Sequence, residues 1–154
     1  MIAHLQALIK QAQEEIKNLK VSIEEAKKEI DICKQLLALL IKIGSDASRG
    51  GHSLNSAASS LNRGIRISGV GQGAKISERA SKMMELQANS EAGAANVQKR
   101  IDELEAKIVA WQAKIGSLQS SIAGWSAEIA RLQEEARRAA EAAERAARKN
   151  KNRR

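Results

Sequence analysis

The sequence predicts an all-α protein, a long antiparallel two-helix coiled-coil hairpin with a short helix and a Gly-rich loop at its tip. Three observations predict it. Residues 2–40 and 97–132 each carry apolar side chains that step three and four without a break, the period at which one helix keeps a single stripe against another. The 154 residues contain no Pro, so nothing forbids very long helices. The stretch between the two stripes gathers Gly and Ser, as a reversal of chain direction requires.

The first stripe runs Ile2, Leu5, Ile9, Ala12, Ile16, Leu19, Ile23, Ala26, Ile30, Cys33, Leu37 and Leu40. With Ile2 at heptad position a, five of the six a positions are Ile. Lys, Glu and Gln fill the outer face; they are good helix formers that stay wet. A helix is predicted over 1–43. The second stripe runs Val97, Ile101, Leu104, Ile108, Trp111, Ile115, Leu118, Ile122, Trp125, Ile129 and Leu132, with Ile101 at a. It continues weakly backwards through Ala94, Ser90, Gln87, Met83, Ala80 and Ile76, so the second long helix is predicted over 75–136.

The two stripes fit each other. Ala12 and Ala26 are fourteen residues apart, as are Trp111 and Trp125. An indole needs a small neighbour across a close-packed seam, because interiors leave few voids. An antiparallel register with paired numbers adding to about 137 sets Ala12 near Trp125, Ala26 near Trp111 and Leu19 near Leu118, or half a heptad away. Parallel pairing within one molecule would stretch residues 44–74 across about 100 Å, close to the limit of about 3.3–3.6 Å per residue.

Residues 44–74 form the expected tip. Gly44, Gly50 and Gly51 are read as ending the first helix, since Gly takes the left-handed cap conformation cheaply. Leu54, Ala58, Leu61 and Ile65 stand at helical spacing and predict a short helix near 52–63, followed by the loop Gly64–Gly73. Leu36, Leu39, Ile41 and Ile43 on the first helix, and Met84 and Leu86 on the second, fall outside the a and d stripes. They are the candidates for binding a partner, expected to be another helical protein or a second copy of this chain. Residues 137–154 form an Ala/Arg-rich tail expected to be helical to about 147. Eight cations there oppose only Glu141 and Glu144, which leaves +2 of the formal +8 charge for the rest of the chain. Arg145, Arg148, Lys149, Lys151, Arg153 and Arg154 could meet nucleic acid or an anionic membrane.

The search for chemistry is mostly negative. His4 and His52 are isolated, and neither has a Cys, Asp or His at metal-ligand spacing. Cys33 occupies a seam position and reads as a small hydrophobe. Gly69-x-Gly-x-Gly-x-Lys75 has the glycines of a phosphate loop without the Gly-Lys-Ser/Thr ending. No nucleophile–base pair can be assembled, so no enzyme, cofactor or small-molecule substrate is expected. The longest apolar run, Leu36–Ile41, is far short of the roughly 20 residues of a membrane span. The N-terminus has no signal-peptide pattern. Cytoplasmic residence is expected, with export by a signal-independent route left open.

The layout combines an N-terminal heptad helix, a Gly/Ser-rich middle around Leu61-Asn-Arg-Gly64 and Ser68-Gly-Val-Gly-Gln-Gly73, and a longer heptad helix with a basic end. It resembles the small helical-hairpin accessory proteins of type VII (Esx-type) secretion that are encoded beside LXG-domain toxins. The middle holds no Trp and the chain no Tyr, so the Trp-x-Gly turn and Tyr-based export signal of the best-known relatives have no counterpart. The resemblance implies a non-enzymatic partner, or chaperone, packed on the helical N-terminal domain of a secreted toxin. The alternative from composition is a self-associating coiled-coil scaffold whose basic tail contacts nucleic acid or membrane.

Overall fold

Two α-helices make up the described residues, α1 (Ile2–Gly64) and α2 (Val70–Lys151). The computed structural model describes residues 1–64 and 70–151, with side chains over 1–60 and 75–149. The helices pack against each other as an all-α hairpin, with no strand among the described residues. Their contacts divide into two units, one of Met1–Glu24 with Ile108–Arg154 and one of Glu25–Lys107.

The helix ends differ from the sequence expectation. α1 does not stop at Gly44. It runs through Gly50 and Gly51 to Gly64, and the short helix expected near 52–63 is its last part. No described glycine has a positive φ, so none acts as a left-handed cap. The reason lies in the heptad count. Gly44, Ala47, Gly51, Leu54 and Ala58 continue the a and d positions of the first stripe. Gly44, Ala47, Gly51 and Ala58 are all buried. These glycines are seam residues, where absence of a side chain lets the helices approach. A Cβ at Gly44 would lie 2.8 Å from Ser90 Oγ, and one at Gly51 3.7 Å from the Ala80 carbonyl oxygen. Of the expected loop, residues 70–73 belong to α2, and 65–69 lie outside the described residues.

The glycine contacts give the register of the second unit. Gly44 faces Ser90 and Gly51 faces Met83, each pair adding to 134. Each sets an a position of α1 against a d position of α2, as antiparallel packing alternates them. The flanking g positions agree, since Arg100 donates to Glu29 Oε1 at 2.8 Å and that pair adds to 129. In the first unit Lys114 pairs with Glu15, again g to g and again adding to 129.

This register is half a heptad from the expected pairing near 137. Ala12 and Trp125 are both d residues, and a d residue shares its layer with an a residue. Trp125 is therefore level with Ile9, and Ala12 with Ile122 in the next layer. Leu118 is level with Ile16, Leu19 with Ile115, and Trp111 with Ile23. Ala12 and, in its own unit, Ala26 are only 4% and 5% exposed. Leu19, Trp111, Leu118 and Trp125 are half-buried. A seam between only two helices covers one edge of a large side chain and leaves the other wet.

On this register Ile2 is level with Leu132, so α2 outruns α1 by about five turns. Residues 135–149 are exposed without exception. This overhang is helical to Lys151, beyond the expected end near 147. Ala is the best helix former, and Glu134 with Arg138 and Glu144 with Arg148 bridge successive turns at 3.0 and 2.6 Å.

Candidate partner-binding surface

The six apolar candidates all lie in the unit Glu25–Lys107, and all are exposed. Their heptad positions divide them between two sides of the seam. Leu36 and Ile43 are g residues of α1, Leu39 is the neighbouring c residue, and Leu86 is a g residue of α2. Ile41 and Met84 are e residues and fall on the opposite side. The first group forms a surface; the second does not extend beyond its two members.

The larger group has a member that the sequence reading missed. Ile32 is a c residue and is 65% exposed. Ile32, Leu36, Leu39 and Ile43 step four, three and four. The signal was present in the sequence as a second heptad stripe offset from the first. On the g–g spacing of Glu29 and Arg100, Ile43 is level with Leu86. Gly93, the next g residue of α2, leaves the groove between the helices without a side chain; a Cβ there would meet only Leu40, at 3.5 Å. Polar residues bound the patch at its ends. Glu29 is engaged by Arg100, whose guanidinium it holds above its usual pKa chiefly by hydrogen bonding and also by charge. Asp46 is paired with Arg49. Along the outer edge runs the f row Lys28, Gln35, Lys42 and Arg49, all exposed.

The chain matches no known family model, curated protein or solved structure.

The remaining candidates do not converge on a site. Cys33 is half-buried at its seam position, and His4 and His52 are exposed. No group of three or more His, Cys, Asp or Glu is placed to hold a metal among the described residues. Ser48, Gly51, His52, Asn55, Met84 and Gln87 line a hollow of about 50 Å³, well below the roughly 300–1,000 Å³ of small-molecule sites. Ala7, Lys10, Gln11, Glu14, Glu15 and Asn18 line a wider trough that is open along one face of α1. No described helix is long and apolar enough to cross a membrane.

In the overhang, Arg145, Arg148 and Lys149 are exposed. Arg153 and Arg154 lie outside the described residues, and Lys151 is placed only as the last residue of α2. Glu134 accepts hydrogen bonds from Arg137 and Arg138 at 3.0 Å each. Those two donors hold its carboxyl below the usual carboxylate range.

Proposed function

We propose that this chain is a non-enzymatic helical interaction protein, the accessory partner that packs on the helical N-terminal domain of a type VII-secreted LXG toxin and helps present it for export. The observation that carries the reading is the exposed stripe Ile32, Leu36, Leu39 and Ile43. Isolated exposed apolar residues are ordinary, whereas contiguous ones mark interaction surfaces. Heptad spacing fits that surface to a helix. The toxin assignment is supported by the layout resemblance alone.

The test is co-expression with the N-terminal domain of the LXG toxin encoded beside it, followed by light scattering on the eluted material. A stable complex is expected, and Leu36→Asp with Leu39→Asp should dissolve it. Separate elution of the two unaltered chains would refute the toxin assignment.

The basic overhang favours a second reading, contact with a polyanion such as nucleic acid or an anionic membrane. Titration of DNA and of anionic vesicles against salt tests it. A steep salt dependence that is lost on removing residues 145–154 supports this reading; absence of binding at low salt removes it.

A further inference from the structure

We propose that the groove beside Ile32–Ile43 takes one acidic amphipathic helix of another protein, recognised by carboxylates set two heptads apart. The proposal deepens the helical-partner reading and rests on it. The stripe is two heptads long, and its steps of four, three and four suit a helical occupant. Leu86 and the side-chain-free Gly93 supply the α2 wall of the groove, so the occupant is cradled by both helices.

Charge decides between the possible helices. Ile32, Leu36, Leu39 and Ile43 read the same in both directions, which invites an antiparallel second copy with Leu36 opposite Leu39. In this hairpin, flanking pairs add to five less than layer pairs, as Glu15–Lys114 and Glu29–Arg100 do beside Gly44–Ser90. On the outer stripe the f row is the flank. The same geometry would place Lys28 opposite Lys42 of the copy, and Lys42 opposite its Lys28. Like charges facing across a seam work against association. The same two ammonium groups attract a helix with Glu or Asp at matching positions fourteen residues apart. Such attraction acts mainly on partner choice and encounter rate.

Two synthetic helical peptides of about 21 residues, three heptads, test this against the full chain. Both carry one Ile/Leu stripe; one has Glu at the flanking positions and the other Lys. Fluorescence anisotropy should show the Glu peptide binding roughly tenfold or more tighter, with the advantage shrinking as salt rises. Lys28→Glu with Lys42→Glu should invert the preference. Leu39→Asp should abolish binding without changing the melt, because Leu39 is 58% exposed. Equal binding of both peptides, or binding of neither, would overturn the proposal. So would a dimer of the chain alone, in sedimentation, that Leu39→Asp splits. Failure with the peptides would leave a complex with the toxin domain standing, and failure of that complex would leave the peptide result standing.

Discussion

At Gly44 two opposing terms meet in one atom. Replacing a helix-interior Gly with Ala gains about 1 kcal/mol from backbone preference. The new methyl carbon would sit 2.8 Å from Ser90 Oγ. That hydroxyl donates to the Gln87 carbonyl at 2.8 Å, and Ser90 is buried. Moving it loses a hydrogen bond worth about 1 kcal/mol. Gly44→Ala is therefore expected to leave the melting free energy unchanged or lower. In a Ser90→Ala background, where the next nearest atom is the Ser90 Cβ at 3.9 Å, the same change should stabilise by about 1 kcal/mol. A double-mutant cycle by urea denaturation would read a coupling of about 1 kcal/mol between the two positions. Gly116 and Gly124 supply the control. A Cβ at either meets nothing within 4 Å, so Gly116→Ala and Gly124→Ala should each stabilise by about 1 kcal/mol. If Gly44→Ala alone matches these controls, the close approach of the helices at Ser90 is wrong.

Among elements, the seam is the feature the sequence states most clearly. Ile at a and Leu at d announce two helices, and their antiparallel order follows from the length of the connection. The register is legible only to half a heptad, because Trp and Ala both occupy d and matching their sizes ignores the alternation of a with d across an antiparallel pair. The tip is misread for a physical reason as well. Gly is ambiguous between ending a helix and letting a second helix come close, and only the position of its neighbour distinguishes the two. All six candidate surface residues are legible as apolar side chains off the seam; Ile32 and the division between g and e sides need a second heptad count and a register. The register is testable by cross-linking. In a Cys33→Ser background, Glu15→Cys with Lys114→Cys should oxidise to an intramolecular disulfide much faster than Glu15→Cys with Ser121→Cys, one heptad away. Equal rates would contradict the pairing of Glu15 with Lys114. The overhang of α2 has no seam to hold it, and an unaccompanied helix of this length is marginal in water. Its carboxylates therefore matter. Glu134 has its folded pKa lowered by hydrogen bonds from Arg137 and Arg138; Glu128, just before the overhang, has its own lowered chiefly by the two hydrogen bonds from Arg131. A lowered folded pKa gives stability that is present above the unfolded value and lost as pH falls through the folded one. Far-ultraviolet circular dichroism should show helicity falling as pH drops below the carboxylate range, and a chain lacking 137–154 should show less of that loss.

At the scale of the folded unit, the two-helix seam of Glu25–Lys107 changes its filling along its length. Within the unit Glu25–Lys107, the layers around Ile30, Ile101 and Leu104 bury branched side chains, each of them at most 6% exposed. Beyond Gly44 the buried residues of that unit, among those whose side chains are described, are Gly, Ala and Ser: Ala47, Gly51 and Ala58 on α1, Ala80 and Ser90 on α2. Burying a Leu or Ile is worth about 1.5–3 kcal/mol, whereas a Gly or Ala layer buries little apolar area and rests on backbone approach. Gly44, Gly50 and Gly51 each add a backbone cost of about 1 kcal/mol relative to Ala. Opening should therefore begin in the Gly/Ala portion and stop at the branched one. Local openings of this kind set amide exchange. Amides of residues 47–58 and 80–90 are expected to exchange roughly 100-fold faster than those of 26–37 and 97–104, a difference of a few kcal/mol. The division bears on binding, because Ile32–Ile43 lies on the firm side of Gly44, and of the residues proposed to meet the partner only Leu86 falls in the Gly/Ala portion. A partner helix would meet a surface already ordered and would not have to offset the cost of ordering it. Uniform exchange across the unit would mean that the glycine layers hold as tightly as the branched ones, and the docking stripe would lose its claim to a privileged rigid base.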